Sequence, residues 1–241
     1  AVGSGALDAN TTGNYNYALG KDALGANTTG SVNIAIANAL TSNTTGESNI
    51  AIGSNSLGDN TTGSQNVALG RQALGDNTTA DNNTAIGHNA LFYNTTGGNN
   101  TAIGRDALKA NTTASNSVAI GYFALVGNTT GTQNIAIGVE TLDANTTGSY
   151  NVAVGKAALG GNTTADYNTA VGQQALAANT TGTRNVSVGA FALDNSTTTS
   201  DNTAIGAYAM TSSTTGDRNV AVGTYALDAG TTASNCIAIG Y

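Results

Sequence analysis

The sequence has 241 residues, lacks Pro and Trp, and only 9% of its residues are charged. Its net charge of −7 and seven scattered basic residues exclude a nucleic-acid-binding protein, because phosphate neutralisation needs clustered Lys and Arg. No apolar run approaches the ~20 residues of a membrane-spanning helix, so membrane insertion is not expected.

A repeat organises the whole chain. Its pattern is Asn-Thr-Thr-(Gly/Ala)-x-x-Asn-(Val/Ile/Thr)-Ala-(Ile/Val/Leu)-Gly-x-x-Ala-Leu-x-x, and successive copies lie 17 residues apart. The exception is the step from Asn27 to Asn43, which is 16 residues, and this copy has Ala37 where the others have Gly. We therefore expect a local distortion in that copy.

Each copy of the repeat predicts the same elements in the same order. Asn-Thr-Thr-Gly forms a turn, because Asn and Gly tolerate positive φ. Segments such as 151–155 then alternate with period two, which indicates a strand, and Gly forms the next corner. A second short strand is predicted at Ala-Leu, as in Ala158 and Leu159.

These elements predict the fold class and the domain organisation. The chain is expected to be all-β, a parallel β-solenoid (β-roll) of about fourteen 17-residue coils with two short strands each. Residues 1–241 are expected to form a single continuous solenoid. Because the sequence starts and stops inside a repeat, we expect it to be a fragment of a longer fibrous protein.

The strand pattern also predicts which side chains point inward. Alternation places Val152 and Val154 on one face and Ala153 on the other. A slot restricted to Ala is usually short of space, so we expect Ala153 and Leu159 inside and the two Val outside. An outward apolar stripe would then favour self-association. The opposite register, with the Val inside, would give a monomer.

Two columns of Asn are expected to form amide ladders between stacked coils. The turn Asn opens each repeat, as at Asn145, and the strand Asn precedes each strand, as at Asn151. Eleven Asn-Thr-Thr sequons result, but turn geometry explains their regularity without glycosylation.

The strand motif resembles the head repeats of trimeric autotransporter adhesins of the YadA-like type. The segments 116–121 (Asn-Ser-Val-Ala-Ile-Gly) and 235–240 (Asn-Cys-Ile-Ala-Ile-Gly) carry the resemblance most closely, and the fuller repeat also resembles arrays of bacterial surface proteins and phage-type tail fibres. The resemblance implies a left-handed roll that forms a homotrimer through its strand residues. By position, this oligomer face would comprise Val118, Ile120, Ile135, Ile137, Val152 and Val154.

The sequence offers little material for catalysis. His88 is the only His and Cys236 the only Cys, so no catalytic group, cofactor or metal site is expected. Aromatic residues recur instead in equal slots of successive coils, and exposed aromatic faces suit sugar rings or a protein partner. The predicted contact residues are Tyr150, Tyr167, Phe191, Tyr208 and Tyr225.

Together these features predict a structural and adhesive rod rather than an enzyme. It would be the head or stalk segment of a surface adhesin or a tail fibre, extracellular on a bacterial surface or a virion, and would bind a host surface protein or glycan through exposed turns. The alternative is an ice-binding solenoid that uses its Thr ladders. Against it, two consecutive Thr in an extended strand would point to opposite faces.

Overall fold

The computed structural model describes all residues 1–241 and contains fourteen three-residue parallel strands and no helix. The chain is therefore a β-solenoid, as the repeat predicts, but each coil has one strand instead of the expected two. No helix has the length and apolarity of a membrane span.

The chain divides into two compact units, Ala1–Ser117 and Val118–Tyr241. The first unit contains β1 Tyr17–Leu19, β2 Ile34–Ile36, β3 Ile50–Ile52, β4 Val67–Leu69, β5 Thr84–Ile86 and β6 Thr101–Ile103. The second contains β7 Val118–Ile120, β8 Ile135–Ile137, β9 Val152–Val154, β10 Thr169–Val171, β11 Val186–Val188, β12 Thr203–Ile205, β13 Val220–Val222 and β14 Ile237–Ile239.

Within each unit, equivalent residues of successive coils lie directly beside one another. In the second unit Ala136 pairs with Ala153, and in the first unit Ala35 pairs with Ala51 across the short coil. The sheet thus converts each slot of the repeat into a column of like side chains. We call the first residue of each strand the leading residue and the third the trailing residue.

The narrow core of most coils consists of small residues and one Leu, with Met210 in the Leu slot of one coil. Ala153, Ala158 and Leu159 are fully buried, whereas Val152 and Val154 are partly exposed. The expectation that Ala lies inside and the flanking residues outside is confirmed, and the opposite register is wrong. Full burial of one Leu contributes about 1.5–3 kcal/mol, so a Leu in nearly every coil supplies much of the stability.

The expected second strand is absent, because the Ala-Leu segment forms a turn. An extended strand would send Ala158 and Leu159 to opposite faces, yet both are buried. A positive φ of 55° at Leu159 turns both side chains inward. The coils still pair here, because the backbone N–H of Leu159 donates to Ala175 O at 3.0 Å.

The 16-residue coil shows the expected local distortion. Gly20 and Gly53 of the neighbouring coils have φ of 133° and 129°, a region open only to Gly. Ala37 in the same slot has φ 73° instead, which an L-residue can adopt. The N–H of Asn55 donates to Asn38 O at 2.7 Å, so the missing residue is the one between Asn38 and Ala39.

Candidate interaction surfaces

The turn Asn residues form the predicted amide ladder beneath the surface. Asn145 Nδ2 donates to Asn128 Oδ1 at 2.8 Å and to Gly148 O at 2.9 Å. Asn145 Oδ1 accepts from Asn162 Nδ2 at 2.8 Å. Each side-chain amide therefore makes one hydrogen bond within its own turn and one to the turn Asn of each neighbouring coil. Because these buried Asn use both amide hydrogens, a glycan cannot be attached to them in the folded chain.

The strand Asn residues fix the start of each strand. Asn151 Oδ1 accepts the backbone N–H of Asn168 at 3.0 Å, and Asn151 Nδ2 donates to Ala165 O at 2.8 Å. The Asn is fully buried, so the next residue along the chain, Val152, points outward. The ladder thereby sets which side chains reach the surface.

A third ladder was missed by the sequence reasoning, which treated its slot as variable. The backbone N–H of Ser149 donates to Asp166 Oδ1 at 2.6 Å, and that of Thr132 donates to Ser149 Oγ at 3.0 Å. Ser64 and Asp81 form the same contact in the first unit at 2.7 Å. The available signal was the frequency of Ser, Thr and Asp two residues before the strand Asn.

The turn Asn ladder is interrupted where Ser196 replaces Asn. Asn179 still donates to Asn162 Oδ1, but its own Oδ1 is buried without a hydrogen-bond partner. Ser196 Oγ instead contacts Thr199 Oγ1, which occupies the slot that is Gly or Ala in most coils. Ser213 Oγ in the next coil is also buried and unpaired.

The outward strand face of the first unit is mainly apolar, and no strand residue of β1–β6 is charged. Leu19 is 52% exposed and Ile52 is 38% exposed. An open groove of about 470 Å³ lies among Val2, Tyr17, Leu19 and Ile34. This face can accept apolar side chains.

The second unit carries the residues of the predicted oligomer face. All lie as leading or trailing residues of β7–β9 on one outward surface: Val118, Ile120, Ile135, Ile137, Val152 and Val154. Ile135 and Ile137 are each 38% exposed. The structure therefore brings the six together, and their part in an oligomer stays a prediction.

The aromatic residues form the predicted columns in the second unit. Phe191, Tyr208 and Tyr225 stack with ring centroids 5.1 Å apart and interplanar angles of 6° and 9°. Tyr150 and Tyr167 stack at 4.9 Å. Because the rings cover each other's faces, ring edges and Tyr hydroxyls remain for contact. The ring faces inside the stacks are covered, so they are not open to sugar rings as expected from the sequence.

The two Thr of each turn differ in their contacts. The hydroxyl of the first donates to the next coil, as from Thr146 Oγ1 to Thr163 O at 3.0 Å. The second Thr is exposed in every coil, and its hydroxyl has no hydrogen-bond partner in the chain. The two side chains thus do not form one flat array, and a single Thr column reaches solvent.

Charged side chains gather at one buried carboxylate in the first unit. Asp106 accepts from Asn89 Nδ2 at 3.0 Å and pairs with Arg105 Nε at 3.0 Å and Lys109 Nζ at 3.3 Å. Burial acts to raise the pKa of Asp106, but the hydrogen bonds from Asn89 and Lys109 and the two cations outweigh it and hold the pKa below its ordinary value. This cluster stabilises the coil rather than forming an open site.

Asp59 and Asp76 are acidic residues in the same slot of adjacent coils in the first unit. Burial raises the pKa of Asp76, and the charge of Asp59 on the adjacent coil adds to the rise. No group of three or more His, Cys, Asp or Glu side chains is placed to hold a metal ion. His88 Nε2 lies 3.5 Å from Arg71 Nη1, and both residues belong to turns of adjacent coils.

Comparison with protein-family models, curated proteins and solved structures finds no match to this chain.

Proposed function

We propose that this chain is a structural and adhesive segment of an extracellular fibre, on a bacterial surface or a virion, that works as a homotrimer. The observation that carries the proposal is the outward strand face. Leading and trailing residues form two mainly apolar columns in each unit, and none of them is charged. Contiguous exposed apolar surface of this kind marks an interaction site.

The packing of the coil supports self-association over a monomeric role. The inward-pointing middle slot of each strand holds only Ala or, in β11, Ser187, while the larger Val and Ile stand in the outward slots on either side. Their exposure is therefore built into every coil. The resemblance to trimeric adhesin heads favours three chains as the number that covers this face.

Adhesion would use the turns that remain outside the assembly. The predicted contacts are Tyr150 and Tyr167 in one column and Phe191, Tyr208 and Tyr225 in the other, with ring edges and hydroxyls available. A host glycan or surface protein could meet several such columns on one fibre. Repeated weak contacts then add through avidity.

Light scattering of the purified chain tests the assembly. The wild type is expected to have the mass of three chains. Ile135→Lys/Ile137→Lys should give single chains, because it places cations in the apolar face. The control Thr130→Lys/Thr147→Lys adds the same charge at exposed turn residues and should remain trimeric. A monomeric wild type at the highest soluble concentration would refute the proposal.

Binding to a glycan array and to immobilised collagen and fibronectin tests the adhesive role. We expect binding by the wild type and a loss of at least tenfold in Phe191→Ser/Tyr208→Ser/Tyr225→Ser. Equal binding by this variant would exclude the aromatic column. Absence of wild-type binding to every probe would count against adhesion to these surfaces.

Ice binding is a second candidate, and the exposed Thr column favours it. The second Thr of every turn presents a free hydroxyl at the coil spacing of ~4.8 Å. Thermal hysteresis of the wild type, abolished by Thr130→Lys/Thr147→Lys, is the expected result under this candidate. Freezing behaviour equal to that of an inert protein would eliminate it.

A further inference from the structure

The two outward columns differ in the residues they contain. The leading column contains Thr in four strands and Tyr in one, in addition to Val and Ile: Tyr17, Thr84, Thr101, Thr169 and Thr203. The trailing column contains only Ile, Val and Leu in all fourteen strands. A polar side chain is thus tolerated in one column and absent from the other.

The isolated coil gives no reason for this difference. Val152 and Val154 are both partly exposed, and Ile135 and Ile137 are equally exposed. Both columns belong to the same three-residue strands and point to the same side. Thr is β-branched like Val and Ile and is equally suited to strands. Folding alone would therefore admit Thr in the trailing column as well.

Removal from water does give a reason. A hydroxyl that is buried without a hydrogen-bond partner is destabilising, whereas one at a margin can still bind water. A column that excludes Thr throughout has the composition of a covered surface. A column that includes Thr has the composition of the margin of a covered surface, where water still reaches the hydroxyls.

The covering molecule must itself be apolar at every coil. A partner with the same axial repeat meets that requirement over its whole length, and a second copy of this chain has that repeat. Neither column has a charged residue in any strand, so copies can approach without burying a charge. Copies that run parallel and in register, related by rotation about the long axis, match slot to slot at every coil and form a closed assembly.

We propose that the trailing column is the buried centre of a parallel interface between copies of this chain, and that the leading column lies at its margin. This inference rests on the proposed self-association and specifies its geometry. The trailing residues of the second unit are Ile120, Ile137, Val154, Val171, Val188, Ile205, Val222 and Ile239.

Three strands allow a matched experiment, because β9, β11 and β13 have Val in both columns. One variant is Val152→Thr/Val186→Thr/Val220→Thr in the leading column. The other is Val154→Thr/Val188→Thr/Val222→Thr in the trailing column. The two have the same composition, and each makes a nearly isosteric change that adds three hydroxyls per chain.

Sedimentation equilibrium measures the dissociation constant of each variant. The leading variant should stay within about threefold of the wild type. The trailing variant should dissociate at least about a hundredfold more readily, because its hydroxyls lose water in the interface. Circular dichroism at a concentration where both are monomeric checks that the folds match.

The outcomes separate this inference from the function on which it rests. Equal weakening by both variants, or greater weakening by the leading one, overturns the inference and leaves self-association standing. A wild type that stays monomeric overturns both. Should the trailing variant fail to fold, Thr169→Val/Thr203→Val provides the second test. This variant replaces two leading hydroxyls with methyl groups, so it should change the dissociation constant less than threefold. A larger change would refute the placement of the leading column at the margin of the interface.

Discussion

Each turn Asn stabilises the chain only when its neighbours supply the matching donor and acceptor. Asn145 has both, whereas Asn179 lacks a donor for its Oδ1 because Ser196 follows it. A buried acceptor without a partner costs about 1–3 kcal/mol. The same column therefore contains strong steps and a weak step at Ser196, and that step can be repaired.

The repair is the double substitution Ser196→Asn/Thr199→Gly. It recreates the Asn and Gly pair found at Asn145 and Gly148, and should raise the free energy of unfolding by about 1–2 kcal/mol. Ser196→Asn alone should gain less, since Thr199 is larger than the Gly or Ala that accompanies every turn Asn in this slot. Urea unfolding measures both, and a double variant no more stable than wild type contradicts the ladder argument.

The buried Asp106 makes stability depend on pH. Hydrogen bonds and cations lower its folded pKa despite burial, so its contribution is complete above the ordinary Asp pKa of about 4 and is lost as the pH falls through the folded value. Asp106→Asn should therefore be less stable than wild type at neutral pH. Thermal unfolding should show the difference shrinking in acid.

Asp143 provides the opposite case as a control. Burial raises its pKa, and the charge of Glu140 adds to the rise, so its ionised form costs stability at neutral pH. Asp143→Asn should be more stable than wild type at neutral pH, with the gain disappearing as the pH falls below the raised value. The same direction of change in both variants would refute these assignments.

At the scale of the coil, the corner after each strand depends on Gly. Gly87 has φ 132°, and a Cβ there would lie 2.6 Å from Gly104 O. Gly87→Ala should lower the free energy of unfolding by at least about 2 kcal/mol. Ala37→Gly, in the short coil with φ 73°, should change it by less than about 1 kcal/mol. Similar losses in urea unfolding would contradict this account of the short coil.

The repeat predicted most of the coil, because each of its strong signals has one physical cause. Alternation around Ala153 predicted the inward face, and recurring Asn predicted the ladders. The turn at Leu159 was not predictable in the same way, since a bulky residue rarely adopts positive φ. Closure of the coil imposes the positive φ at Leu159, and closure is not determined by the residues of this turn alone.

The repeat also predicted which residues lie together in the candidate surfaces, but not how their side chains are oriented. Residues that stack by repeat period, such as Tyr208 and Tyr225, were placed correctly because the register follows from the repeat. Which part of each ring stays open was not predictable, since it depends on ring orientation. The ladder of Ser149 and Asp166 was missed because different residue types perform one function there.

At the scale of the whole molecule, an uncharged apolar face is combined with a net charge of −7. The proposed association would bury the apolar face and would also bring like charges together. Salt screens that repulsion and has little effect on apolar burial at moderate concentration. Self-association should therefore tighten as salt is added.

Sedimentation equilibrium at about 20 mM and about 300 mM NaCl measures this response, over which the Debye length falls several-fold. We expect the dissociation constant to decrease severalfold in the higher salt. Lys156→Glu, at an exposed turn residue, makes the chain more acidic and should steepen the dependence without altering the apolar face. Weaker association in high salt would mean that ion pairs between copies hold the assembly, and the apolar strand face would then not be its main source of stability.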